Sequence, residues 1–253
     1  MSRPGPAKSA NQDHYSYRHY ADPRVAEGFD ELRFGGPIGQ LLAASQHSLL
    51  VDALGPVSGR RVLDVGTGTG RAAIGLAQDG AVVTGIDASA EMLAVADRRA
   101  AEAHLAITFE PGDAHALPVA DRSVDASISL RVLMHALDWR TCVAELCRVS
   151  RWRVIVDFPA RASFAAIESA GRQMANLLGG QTEAYRVIAE ADVRRMFVAH
   201  GYRVVLVRRQ FVLPIALHKA IGSVALTQRV EGALGAVGLL RLLGSPVTMV
   251  AER

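Results

Sequence analysis

The sequence predicts an α/β fold built on a parallel sheet, and three observations point to it. A β-rich run, Arg61-Val-Leu-Asp-Val65, empties into the glycine turn Gly66-Thr-Gly-Thr-Gly70 and then into a helix. Between residues 62 and 157 five apolar strand segments alternate with helical ones, a rhythm that demands parallel pairing with right-handed crossovers. With 253 residues, half of them hydrophobic, the chain can bury a full core as one domain.

Taken in order, residues 1–13 contain Pro-Gly-Pro and predict a disordered arm, with no apolar segment long enough for secretion. Residues 14–253 then read as a single domain. Tyr15, Tyr17, Tyr20, Phe29 and Phe34 form an aromatic lead-in. A helix from Ile38 to Leu54 carries Ile38, Leu41, Leu42, Leu49 and Ala53 on one face. The first strand ends at Asp64, and the helix from Arg71 to Gln78 takes Gly80 as its C-cap. The second strand, Ala81 to Ile86, ends in Asp87. Ser89 then caps a helix with Met92, Leu93, Ala96 and Ala100 on one face. A third strand, Ala106 to Glu110, leads to Pro111-Gly-Asp-Ala114, and a fourth runs from Val124 to Leu130. A helix from Trp139 to Val149 precedes the fifth strand, Arg153 to Asp157.

After Pro159 the rhythm breaks. Ala160 to Leu178 reads as an inserted helix closed by Gly179-Gly180. Asp192 to His200 is a helix with Val193, Met196 and Phe197 inward, and Tyr202 to Leu213 a strand. A mostly helical insertion, Pro214 to Gly244, precedes a last strand from Pro246 to Ala251. Residues 160–190 and 214–244 leave the sheet at carboxyl strand ends, so they are expected to roof whatever binds there. The apolar excess of the second insertion fits an apolar small-molecule acceptor or, alternatively, a dimer face, which leaves monomer and homodimer open.

The net charge of +3 is spread without a basic run, which does not argue for nucleic acid. Lys219, Arg229, Glu231 and Arg241 interrupt the most apolar late stretch, so no spanning helix is predicted there, while contact with a membrane surface stays open. Cys142 and Cys147 share one helix and read as reduced thiols, as in the cytoplasm. The histidines have no metal-ligand spacing, and no metal is predicted.

Three carboxylates mark the ligand edge. Asp64 precedes the glycine turn, Asp87 ends the second strand and Asp113 follows the third. At the carboxyl edge of a parallel sheet Asp87 can accept from both ribose hydroxyls of a nucleoside, and Asp113 from an adenine amino group. The glycine turn lets main-chain N–H groups approach a ligand at the helix N-terminus. Its G-x-G-x-G spacing, with an acid beside it, would repel a diphosphate and suits a ligand with an ammonium group. That favours S-adenosylmethionine over NAD.

Val62-Leu-Asp-Val-Gly-Thr-Gly-Thr-Gly70, Gly85-Ile-Asp87 and Gly112-Asp-Ala114 resemble the first three cofactor motifs of class I S-adenosylmethionine-dependent methyltransferases. Leu117-Pro118 with Asp121, Ser123 and Asp125 extends the likeness, which is strongest to the branch that includes ubiquinone and menaquinone biosynthesis enzymes. Leu133-Met-His-Ala-Leu-Asp138 is similar to that branch's segment after the fourth strand, with Met134 in place of the first of two histidines. The Lys-Pro-Gly-Gly turn of the branch is replaced by Ser150-Arg-Trp-Arg153.

The resemblance implies a Rossmann-like, seven-stranded, mostly parallel sheet with helices on both faces and the last strand antiparallel. It implies Gly66, Thr67, Gly68 and Gly70 beneath the methionine portion, with Asp64 toward its amine. It further implies Asp87 and Ala88 at the ribose, Gly112, Asp113 and Ala114 at the adenine, and Leu130 bordering the methionine end. The activity expected is methyl transfer to an oxygen or activated carbon of a quinone, phenol, polyketide, terpenoid or lipid precursor. RNA methylation and non-catalytic cofactor binding are the alternatives. His135, after the fourth strand, is the first candidate for a base, the competing role being to bridge the turn before Asp138. Tyr20 could close over the sulfonium or simply pack a helix on the sheet edge. Asp157 faces the pocket mouth or pairs with an arginine.

Overall fold

The computed structural model describes residues 15–177 and 185–253. The arm expected over residues 1–13 and the Gly179-Gly180 stop lie outside the described residues. Two helices, α1 (Tyr15–Tyr20) and α2 (Pro23–Phe34), lead into α3 (Gly36–Leu54). Then come β1 (Arg61–Val65), α4 (Arg71–Gln78), β2 (Val82–Asp87), α5 (Ala90–Glu102), β3 (Thr108–Pro111) and β4 (Val124–Ser129). The chain continues through α6 (Trp139–Val149), β5 (Ser150–Phe158), α7 (Phe164–Leu177), α8 (Glu190–Ala199) and β6 (Arg203–Phe211). It closes with α9 (Ile215–Ile221), α10 (Val224–Ala236), α11 (Leu239–Leu243) and β7 (Ser245–Glu252).

The seven strands form one sheet in the order β3-β2-β1-β4-β5-β7-β6, parallel except for β7, which runs antiparallel to both neighbours. The order reverses between β1 and β4, so their carboxyl ends splay around a crevice where open α/β sheets bind ligands. Two apolar clusters fill the faces. One packs α6 and α8 on the sheet through Val143, Leu146, Val193 and Phe197; the other packs α3 and α4 through Leu50, Leu54, Ala73 and Leu76.

Several local expectations are corrected. Asp79 rather than Gly80 is the C-cap of α4, with Gly80 one position beyond it at φ 90°. The buried side of α3 is Ile38, Gly39, Gln46, Leu50, Ala53 and Leu54, while Leu41, Leu42 and Leu49 are only half-buried, Leu42 lining a cavity. β1 runs one residue past Asp64, which is therefore held inside the ladder, opposite Gly85 of β2. In the insertion of residues 214–244, Leu217, Ile221, Leu226, Val237 and Leu242 are 45–72% exposed and face outward, so its apolar surface is not mainly a pocket lining. Among the described residues no helix is long and apolar enough to cross a membrane.

Candidate active site

The site begins at the β1–α4 turn. Gly66 has φ 71°, and a Cβ there would lie 2.2 Å from Cγ2 of Val132, so only glycine lets the segment after β4 approach. Gly68 has φ 54° and nothing within 4 Å of where its Cβ would stand. The turn N–H groups are used internally: Gly66 and Thr67 donate to the Ile86 carbonyl (2.7 and 3.0 Å), Gly70 to the Thr67 carbonyl (3.0 Å) and Gly68 to Asp87 Oδ2 (2.8 Å). What the turn offers at Gly68 is space, whereas the sequence suggested N–H donors.

Asp64 is 2% exposed and accepts from Thr67 Oγ1 at 2.8 Å. Burial raises its carboxyl to about 6, against the pull of the Thr67 hydroxyl and the Arg71 charge. Asp87 is also raised by burial, opposed by N–H groups of Ser89 (2.9 Å) and Gly68. A buried and a half-buried acid beside one turn suit a ligand that brings positive charge and hydroxyl donors.

Asp113 departs from expectation. Burial pushes its carboxyl up, but the ring and backbone N–H of His115 (2.6 and 2.9 Å) outweigh this and hold it at about 2. Nε2 of His115 accepts from the Asp138 backbone N–H at 3.2 Å, so the ring proton sits on Nδ1 and points at Asp113. Gly112, Ala114 and His115 line the crevice, and the carboxyl of Asp113 is engaged by His115. The bridge to the turn before Asp138, one of the roles weighed for His135, is thus made by His115.

Two cavities open at this edge. The first is lined by Asp64, Gly66, Thr67, Gly68, Asp87, Ala88, Met92, Gly112, Ala114, His115 and Leu130. The second lies between α2, α3, α7 and the β6–α9 connection, and is walled by Leu32, Leu42, Phe164, Val212, Leu213 and Ile215. Tyr20, Phe29, Phe34, Arg131 and His135 line both. At this junction the Tyr20 ring meets Phe29 and His135 edge-on, with centroids 6.0 and 6.2 Å apart. The Tyr20 carbonyl accepts from Ser89 Oγ at 2.7 Å, which ties α1 to the cap of α5.

Arg71 directly follows the glycine turn, and nothing in the sequence around it assigns it a role. Its guanidinium lies 4.1 Å from the Phe34 ring centroid and donates to Gln46 Oε1. Burial lowers its pKa, and the charges of Asp30, Asp64 and Asp157 oppose the shift. Asp157, 1% exposed, lines the second cavity and accepts from the Arg131 backbone N–H. Its carboxyl is raised by burial despite Arg131 and Arg71.

Comparison with known proteins agrees with this geometry. A methyltransferase domain family matches residues 62–152. A demethylmenaquinone methyltransferase of Renibacterium salmoninarum is 42% identical over 103 residues, 41% of this chain and 42% of that one. The chain spans about two fifths of the length of several curated relatives it matches. A second demethylmenaquinone methyltransferase, from Beutenbergia cavernae, is 33% identical over 191 residues, covering 67% of this chain and 77% of that protein. The chain belongs to the class I S-adenosylmethionine-dependent methyltransferases. As a methyltransferase it shares its fold with the magnesium protoporphyrin IX methyltransferase of Synechocystis, crystallised with bound S-adenosylhomocysteine. That likeness has a TM-score of 0.64 at 20% identity and covers 96% of each chain.

The cofactor of this family can be tested against the residues present. The open space at Gly68 is one a side chain would fill, and the carboxyls of buried Asp64 and half-buried Asp87 line the same cavity. Those residues fit a nucleoside with an ammonium group.

Proposed function

We propose that this methyltransferase holds S-adenosylmethionine in the first cavity and methylates a largely apolar small molecule in the second. The observation that carries this reading is the junction, where Tyr20 and His135 border both cavities. Bound S-adenosylmethionine supplies an electrophilic methyl on sulfur, and the acceptor atom forms its bond to that carbon as the carbon–sulfur bond breaks with its electron pair returning to sulfur.

The chain's part is positioning and exclusion of water. Asp64 takes the ammonium, and Asp87 accepts from the ribose hydroxyls. Gly112 and Ala114 border the base, with Asp113 acting on it only through His115. Phe164 of α7, Leu213 of the β6–α9 connection and Ile215 of α9 wall the acceptor. Tyr20 packs its ring beside the reacting centre, and His135 accepts the acceptor's proton where the acceptor arrives protonated. The demethylmenaquinone methyltransferase names of two relatives support a quinone-like or phenolic acceptor.

A tritiated-methyl assay across quinone, phenol and RNA acceptors tests this. Label is expected in quinone or phenol extracts and absent from RNA; label in RNA alone would overturn the reading. His135→Ala is expected to lower kcat on the acceptor so found by about 100-fold, the scale of one proton-transfer group, with S-adenosylhomocysteine affinity kept. Unchanged turnover would remove His135 as the base.

A further inference from the structure

Arg131 stands where the two cavities meet, directly after Leu130. Its backbone is left-handed, at φ 65°, a conformation that side-chain-bearing residues avoid and that persists where surrounding structure enforces it. Here the enforcement is visible, since the Arg131 N–H donates to the buried carboxyl of Asp157. The half-buried guanidinium makes no hydrogen bond or salt bridge with any described residue. A planar fork of five donors with a permanent charge, presented to an apolar chamber, matches the oxygens of an acid. The chamber agrees in sign: its other ionisable lining includes Arg33, Arg172 and Lys219 against the single carboxylate of Asp157.

Resting on the methyl-transfer reading above, we propose that the acceptor is an oxygen acid, a phenol, enol or carboxylic acid, whose anion is received by Arg131 at the junction. For a phenol or enol the proton passes to His135; a carboxylic acid arrives already ionised. The displacement then joins a negative oxygen to a positively charged donor and leaves two neutral products, so no further proton has to move. Arg131 holds the oxygen beside the reacting carbon and favours its ionised form. Asp157 acts as a positioning residue, fixing the strained backbone from which the guanidinium projects.

The test uses para-nitrophenol, ionised at the pH of the experiment, and its neutral methyl ether para-nitroanisole, each measured by equilibrium dialysis with S-adenosylhomocysteine present. Wild-type protein is expected to bind the phenolate at least tenfold more tightly than the ether. Arg131→Asn, chosen because asparagine tolerates a left-handed backbone, is expected to bring that ratio close to one, and Arg131→Lys to restore part of it. A wild-type ratio near one, or equal losses for both probes in Arg131→Asn, would overturn the inference. Calorimetry with S-adenosylhomocysteine on the same samples separates the two readings. Binding of that ligand with no phenolate preference sinks only the role of Arg131, whereas its failure to bind wild-type protein overturns the underlying reading and this inference with it.

Discussion

Asp64 is buried with its carboxyl raised to about 6, against a usual 3.8 in an unfolded chain. Between those values the folded state binds more protons than the unfolded one, so stability without ligand falls as pH rises through that window. An ammonium-bearing ligand prefers the ionised carboxylate, and its dependence runs the other way. S-adenosylhomocysteine affinity is expected to fall about fivefold from pH 6 to pH 5 and to lose that dependence in Asp64→Asn, read by calorimetry at each pH. A flat wild-type profile would remove Asp64 from the ammonium. Asp64 and Asp87 were legible in the sequence because a carboxylate at a β-strand end beside a glycine turn has little structural use. Asp113 looked the same, yet its partner His115 lies two residues on, and nothing in the spacing showed that the ring would turn onto it. Arg71 and Arg131 were illegible as site residues, since their roles depend on charges from Asp30 and Asp157, far away in the chain.

At the scale of elements, the connection from β6 into α9 is shaped by one side chain. Glu231 of α10 is 9% exposed and accepts from the N–H groups of Val212 and Leu213 (2.7 and 3.0 Å) and from His218 Nε2 (2.8 Å). His218 Nδ1 is paired with Thr227 Oγ1 at 3.1 Å, and its ring meets that of Phe211 at a 54° tilt with centroids 5.8 Å apart, so the chamber wall at Phe211 to Leu213 is clasped from behind. Glu231→Ala is expected to cost about 3 kcal/mol in urea unfolding, because the buried Val212 N–H, the half-buried Leu213 N–H and the buried His218 ring lose their acceptor. A change below about 0.5 kcal/mol would show the clasp to be dispensable. Sequence revealed Glu231 only as a charge interrupting an apolar stretch; its partners are set by the fold. The amphipathic α6, by contrast, was predicted over its full length, Trp139 to Val149, because its apolar period and the capping Asp138 agree. The helices α1 and α2 were read only as an aromatic lead-in, although Asp22-Pro23 carries a capping signal, with Asp22 accepting from the Arg24 N–H.

For the molecule as a whole, the sheet order brings the residues expected at the cofactor to one lip, Gly70 and Asp113 excepted, and α1, α2 and α3 from the N-terminal side complete the second cavity. The alternation of strands and helices was enough to foresee the parallel part of the sheet. The outward turn of Leu226, Val237 and Leu242 was not, because a periodic apolar pattern does not say which neighbour a face will meet. Ligand that binds only the folded chain raises its stability by about 2.7 kcal/mol at 100-fold excess over Kd, so S-adenosylhomocysteine is expected to lift Tm by roughly 5 to 10 °C. Unchanged melting at saturating ligand would contradict this.

Titration calorimetry of the intact chain with S-adenosylhomocysteine and with NADH tests the identity of the nucleoside most directly. One S-adenosylhomocysteine site per chain is expected, weakened by about 1 to 3 kcal/mol in Asp87→Ala, with no heat from NADH. Tight NADH binding with none of the homocysteine nucleoside, or an Asp87→Ala protein that binds it as well as wild type, would contradict the assignment of the first cavity.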